Sequence, residues 1–174
     1  DGEGSFNVSF SPVANLRWGW IINLKFQVYQ HEHHREILEI FQEEFHAGEI
    51  RKKSGSNVLV YTIFDRRTLT EKVIPFFQRY PLAVKHQAFE RFCEIVERMN
   101  RKEHLTREGF RRIVEIAQTM NAEGKGRKWS PEKLCALLDA EPSETTRRTR
   151  AHSMSRNDRD DIVQSSERSE NRNA

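Results

Sequence analysis

Three groups of side chains in this sequence have types and spacings suited to chemistry. One is the acid Glu3, set between Gly2 and Gly4 directly before an alternating apolar stretch. A carboxylate there can bind a hard divalent cation, although a lone acid is ordinarily a solvated surface group. A second group is an alternating series of polar residues: Asn7, Ser9 and Ser11, then Asn23, Lys25 and Gln27, with Arg51 and Lys53 further on. Ser, Asn and Gln can hydrogen-bond base edges, Lys and Arg can meet phosphate, and a two-stranded ribbon fits the DNA major groove. On periodicity alone, an ordinary solvated face reads the same way. The third group is His31-Glu32-His33-His34, whose spacing departs from the zinc-protease signature and which reads as a solvated helix start. Gly124-Lys125-Gly126 follows no strand and is read as a loop, not a phosphate cradle.

The elements that must position these groups follow from hydrophobic period. Phe6, Val8 and Phe10 alternate with polar residues from Ser5 to Ser11, a half-buried strand. A turn at Pro12 to Asn15 leads to a longer alternation, with Trp18, Trp20, Ile22, Leu24, Phe26 and Val28 on the apolar side and polar residues out to Tyr29 on the other. At ~3.3 Å per residue, about fourteen residues span roughly 46 Å. The apolar spacing from Glu32 to Ala47 turns helical, with Gly48 as its stop. A second strand pair is expected at Glu49–Lys53 and Val58–Phe64, then a short helix opened by a capping box at Thr68 and Glu71. Helices over Lys85–Asn100 and Thr106–Met120 follow, and a last one begins at Ser130-Pro131. The order ββα, ββα, then helices predicts an α+β domain on one four-stranded antiparallel sheet.

Composition sets the outer bounds. With 29 Lys+Arg against 26 Asp+Glu the chain is mildly basic, which permits a nucleic-acid partner without demanding one. Cys93 and Cys135 lie in separate apolar helical stripes and read as reduced core residues of an intracellular protein. No apolar run approaches the roughly 20 residues of a membrane span, so no membrane partner is expected. Residues 1–140 read as the domain. Residues 141–174 carry seven Arg and seven acids with little apolar beyond Ile162 and Val163, and are expected to be a disordered charged tail.

Several stretches then share a likeness. Asp1-Gly2-Glu3-Gly4-Ser5 running into a strand, Phe26-Gln27-Val28-Tyr29-Gln30, Ile74-Pro75-Phe76-Phe77-Gln78-Arg79-Tyr80-Pro81-Leu82 with Lys85 after it, and Glu141-Pro142-Ser143-Glu144-Thr145-Thr146 resemble, in order, the landmarks of the LAGLIDADG homing endonucleases. The likeness covers roughly residues 1–146 and is to the single-motif, homodimeric kind. It implies an αββαββα domain whose sheet forms a DNA-binding saddle, and a site-specific double-strand DNA endonuclease of intron or intein homing that hydrolyses phosphodiesters with Mg²⁺. It also implies roles: Glu3 as metal-binding acid, the Gly2 carbonyl beside the metal, Gln30 ordering the attacking water, and Lys85 near the scissile phosphate. His34 stands where many members carry Arg or Lys, a departure from the pattern. The partners implied are a long pseudo-palindromic duplex and a second copy of the chain, within an organelle or a bacterial cytoplasm. RNA-binding intron maturase and non-catalytic interaction domain are the alternatives. The apolar half of the motif, the family's first helix and dimer contact, does not precede Asp1 here. On that ground residues 1–174 are expected to be monomeric and unable to cut both strands.

Overall fold

The computed structural model describes residues 4–120 and 128–139. Glu3, Gly2, Gly124 to Gly126 and residues 141–174 lie outside the described residues. Strand β1 (Gly4–Pro12) pairs antiparallel with β2 (Trp20–His31), from Gly4 opposite Val28 to Pro12 opposite Trp20. β3 (Glu49–Lys52) and β4 (Val58–Ile63) form the second hairpin, and the sheet order is β1-β2-β4-β3. β4 meets β2 only from Phe26 opposite Ile63 to His31 opposite Val58. The stretch of β2 from Trp20 to Lys25 therefore has a strand neighbour on one side alone.

The first hairpin differs from expectation at its turn. The chain does not reverse at Pro12–Asn15; it makes a longer loop closed by the Val13 N–H on the Gly19 carbonyl (2.8 Å). Gly19, at φ +71°, ends the loop, so β2 starts later than the apolar alternation suggests. Trp18 is consequently a loop residue, and its indole N–H donates to the His104 carbonyl (3.1 Å). Arg17 stacks over the Trp18 ring and donates to the Leu105 carbonyl (3.0 Å), which pins the loop to the helical layer.

One face of the sheet is covered. Trp20, Ile22, Leu24, Phe26 and Val28 of β2 are buried with Leu59, Tyr61 and Ile63 of β4, as period two requires. Phe6 sits at the centre of this layer, its ring 5.1 to 5.4 Å from those of Phe26, Phe77, Phe89 and Phe92. Those partners come from three segments, β2 and the helices that carry Phe77 and Phe89 with Phe92, so one aromatic ties the sheet to two helices.

The helices supply the rest. A 3-10 turn (Glu32–His34) precedes α1 (Arg35–Phe45), which ends on His46 in the left-handed region at φ +46°. Gly48 is thus not the helix stop; it makes the next bend at φ +83°. A Cβ added at Gly48 would lie 2.6 Å from the Tyr61 ring, so only glycine fits there. The chain is then helical from Arg66 to Arg79: α2 (Arg66–Thr68), a π-helical turn (Leu69–Val73) and α3 (Ile74–Arg79). Its cap is Asp65, whose carboxylate accepts from the Thr68 N–H (2.8 Å) and hydroxyl (2.7 Å), not the expected Thr68–Glu71 box. Pro75 lacks an N–H and crowds the carbonyl four residues back; the wider π turn before it makes room. α4 (His86–Asn100), a 3-10 turn (Glu103–Leu105), α5 (Arg107–Met120) and α6 (Pro131–Asp139) complete the layer. Cations cap several helix ends: Lys72 donates to the Phe45 carbonyl (2.7 Å) and Arg66 to that of Met99 (3.4 Å). Among the described residues no helix is long and apolar enough to cross a membrane.

Candidate nucleic-acid interface and its catalytic edge

The other face of the sheet carries no helix among the described residues. Strand parity puts Ser5, Asn7, Ser9 and Ser11 of β1 there, opposite Gln27, Lys25, Asn23 and Ile21 of β2. Tyr29 continues the row, and register adds Val60 and Thr62 of β4 with Arg51 and Glu49 of β3. Asn7, Ser9, Ser11, Asn23, Lys25, Gln27 and Arg51 therefore share one open face, as their alternation predicted. Lys53 does not belong to the strand. β3 ends at Lys52, and Lys53 opens the hairpin turn, its N–H donating to the Val58 carbonyl (2.8 Å). The Ser54-Gly55-Ser56 turn takes the chain out of extended geometry one residue sooner than the sequence suggests.

The polar side chains on this face hold one another. Gln27 is the hub: its amide N–H donates to the Thr62 hydroxyl (3.1 Å), and its oxygen accepts from Asn7 (3.1 Å) and Tyr29 (3.3 Å). Asn7 also donates to Ser5 (2.9 Å), and Asn23 to Ser11 (3.0 Å). Side chains pre-ordered this way present donors and acceptors outward at reduced entropic cost. Arg51 is three-quarters exposed and bound to Glu49 (2.7 Å), the one carboxylate among these open-face residues. Thr62 and Glu49 escaped the sequence reading. In β4 apolar residues occupy both faces, so Val58 and Val60 hide the alternation that would have revealed Thr62.

At one end of the sheet the chain brings distant residues together. Lys85, the N-cap of α4, donates its ammonium to the Gly4 carbonyl, 81 positions away in sequence. Gln30 lies opposite Leu59 near the end of β2, on the helix-side parity and half-buried. Gly4, Gln30 and Lys85 line a cavity of about 180 Å³ whose other walls include Phe6, Phe26 and Leu82. Two of the three side chains expected to be catalytic thus converge beside the residue that follows Glu3. The third, Glu3, and Gly2 with its carbonyl lie outside the described residues.

The histidine cluster is used locally. Glu32 takes the Lys52 ammonium (2.5 Å), which together with nearby histidines holds its carboxyl below the usual range. The His31 ring accepts from the His33 N–H (3.3 Å), and His34 is exposed beside Glu36 (3.6 Å). Among the described residues no group of three His, Cys, Asp or Glu side chains is placed to hold a metal ion.

Comparison with known proteins gives this geometry its context. The LAGLIDADG endonuclease family model matches residues 1–96. DNA endonuclease I-CeuI of Chlamydomonas moewusii is 38% identical over 109 residues, covering 60% of this chain and 50% of that protein. Probable intron-encoded endonuclease 3 of Neurospora crassa is 34% identical over 123 residues, covering 70% of this chain and 23% of that protein. The chain thus spans about half the length of the first relative and about a quarter of the second. Among solved structures, the archaeal intron-encoded homing endonuclease I-Vdi141I complexed with DNA aligns with TM-score 0.72 at 30% identity, covering 79% of this chain and 87% of that one. The group I intron-encoded homing endonuclease I-CeuI complexed with DNA gives 0.72 at 31% identity, covering 79% and 70%. With a family match over more than half its residues and the expected α+β sheet, this chain belongs to the LAGLIDADG endonuclease family.

Proposed function

We propose that the protein is a site-specific DNA endonuclease of intron or intein homing that reads duplex DNA with its open sheet face and cuts at the Gly4–Gln30–Lys85 edge. The observation that carries this reading is the nearness of the two: a face of hydrogen-bonding side chains runs along β1 and β2 to the end of the sheet where Gln30 and Lys85 line one cavity. A non-catalytic interaction domain offers no account of that convergence.

On this reading Lys85 brings a positive charge to the scissile phosphate and is held in position by the Gly4 carbonyl. The Gln30 amide can donate to and accept from a water at once, which is what orienting a nucleophile requires. The proposed metal donors, the Glu3 carboxylate and the Gly2 carbonyl, are both oxygens and suit a hard cation such as Mg²⁺ better than zinc. When bound, that cation would lower the pKa of a water and neutralise charge on the phosphate. One chain contributes one Glu3, so cutting both strands calls for a second copy about a two-fold axis and a pseudo-palindromic target. DNA as substrate makes the proposed setting intracellular, an organelle or a bacterial cytoplasm. The test is linearisation, by these residues joined to an upstream Leu-Ala-Gly-type motif helix, of a plasmid carrying the intron-free or intein-free host junction, with Mg²⁺ or with chelator. Mg²⁺-dependent cutting at the junction is expected; intact plasmid under both conditions overturns the proposal.

A further inference from the structure

The open face is polar with few exceptions, and one of them stands at its far end. Ile21 points outward opposite Ser11, while its neighbours Trp20 and Ile22 are buried at 9% exposure each. Ile21 itself is 44% exposed. β4 does not reach this part of β2, so no cross-strand side chain shields Ile21 on that side. It opens into a groove of about 860 Å³ that it shares with Asn23, Lys25, Arg51 and Phe64. Phe64, 61% exposed, and Leu16 and Leu105, 42% and 46% exposed, are further apolar groups at the same groove. Unlike Asn23 and Lys25, which follow it on the open face, the aliphatic Ile21 side chain can neither donate nor accept a hydrogen bond. In the major groove, the feature it can recognise is the 5-methyl group of thymine.

Strand geometry gives the distance. Ile21 and Gln30 are nine residues apart on one strand, about 30 Å at ~3.3 Å per residue. Stacked base pairs rise ~3.4 Å each, so that length corresponds to about nine base pairs. Outward side chains recur every second residue, so neighbouring readers such as Ile21 and Asn23 address sites about two base pairs apart.

Resting on the DNA reading of the open face, we propose that Ile21 is a specificity-determining residue that selects thymine through its methyl group, about nine base pairs outward from the step at Gln30 in each half-site. Cytosine lacks the methyl and is disfavoured there, whereas 5-methylcytosine restores the contact surface.

The test uses the full chain in two stages. Sequences bound from a randomised duplex pool are enriched and read for the wild type, Ile21→Ser and Ile21→Val. The wild type and Ile21→Val, which keeps a branched apolar tip, are expected to enrich thymine at that distance; Ile21→Ser is not. On the selected duplex, deoxyuridine in place of that thymine is expected to weaken wild-type binding about three- to fivefold, the worth of one buried methyl. It should leave Ile21→Ser unchanged, and 5-methylcytosine should bind the wild type better than cytosine. Absence of a thymine preference at that distance, or an equal deoxyuridine penalty in wild type and Ile21→Ser, overturns the proposal while the DNA reading stands. If the wild type enriches no sequence at all, the DNA reading fails and this inference with it. Thermal melting of Ile21→Ser close to the wild type is the control for folding, as the site is exposed.

Discussion

Lys85 shows how much one side chain can depend on a contact far away in sequence. Its ammonium is held by the Gly4 carbonyl, so its position is set by the first residue of β1. On the proposed reading, in which most binding contacts lie along the sheet and Lys85 faces the reacting phosphate, Lys85→Met should keep the fold and much of the DNA affinity yet remove a charge from that phosphate. We expect cleavage to fall by about two orders of magnitude or more, by analogy with the loss of a single electrostatic stabiliser. Single-turnover cleavage and a filter-binding titration on the same variant check both halves. Tyr61 is a different case, buried against Gly48 with its hydroxyl donating to the carbonyls of Ala47 (2.8 Å) and Phe41 (3.3 Å). Burial pushes its ionisation up to about 12 from the ordinary value of 10. The folded state then holds the proton longer than the unfolded chain does. Its contribution to stability is therefore complete below pH 10 and is lost as pH rises toward 12. Cys93, also pushed up to about 12 by burial, begins the same decline near pH 9. Melting temperature should drop steadily above pH 9. Tyr61→Phe should flatten the upper part of that drop while costing about 1 kcal/mol at neutral pH through the lost hydrogen bonds. A drop of equal steepness in Tyr61→Phe would show that Tyr61 is not the titrating group.

Among elements, the two hairpins divide into what sequence reveals and what it conceals. Alternation in β1 and β2 is legible because Asn7, Asn23, Lys25 and Gln27 are unambiguously polar between large apolar residues. The pairing of Gln27 with Thr62 is not, since register between distant strands depends on loops whose geometry no local pattern states. The loop ending at Gly19 is a case in point: its closure rests on a carbonyl–amide contact, and its anchoring on the backbone of His104 and Leu105. Gln30 and Lys85 were legible only by family likeness, because nothing in their types sets them apart from other polar residues. The hydrogen-bonded face yields a prediction of its own. Asn23→Ala removes one bond to Ser11, so base preference should relax at one symmetric pair of positions, worth about 1–3 kcal/mol. Gln27→Ala also releases Asn7, Thr62 and Tyr29, so its loss should spread over several adjacent positions. A cleavage profile over all single-base site variants separates the two; equal, single-position effects would argue against the network. Packing constrains the second hairpin just as sharply. Gly48→Ala needs a left-handed residue and forces its Cβ against Tyr61, Ile63 and Thr62, and should cost roughly 1–3 kcal/mol or more in chemical denaturation.

For the molecule as a whole, charge is modest in sum but local in arrangement. Net charge is only +3, while Lys25 and Arg51 share the open face, among the described strand residues, with a single carboxylate, Glu49. Each cation that meets a phosphate releases counterions, so binding should weaken steeply with salt. Lys25→Gln should lower the slope of log affinity against log salt by about one. Arg51→Gln should lower it less, because Glu49 already competes for that guanidinium. Titrations at several ionic strengths decide this, and an unchanged slope in Lys25→Gln would remove Lys25 from the phosphate contacts. The pleat of β2 has a further consequence, for descent. Residues that hold the core and residues that face outward alternate singly, so a mutation at Asn23 or Lys25 leaves Leu24 buried as before. A lineage of such proteins can drift to new targets without refolding, and it can do so fastest at the far end of the hairpin, where Ile21 and Asn23 lie outside the Gln27 hub. Nearer the hub, a useful change must suit its hydrogen-bonded neighbours as well, so new specificities there should arise by several substitutions arriving together.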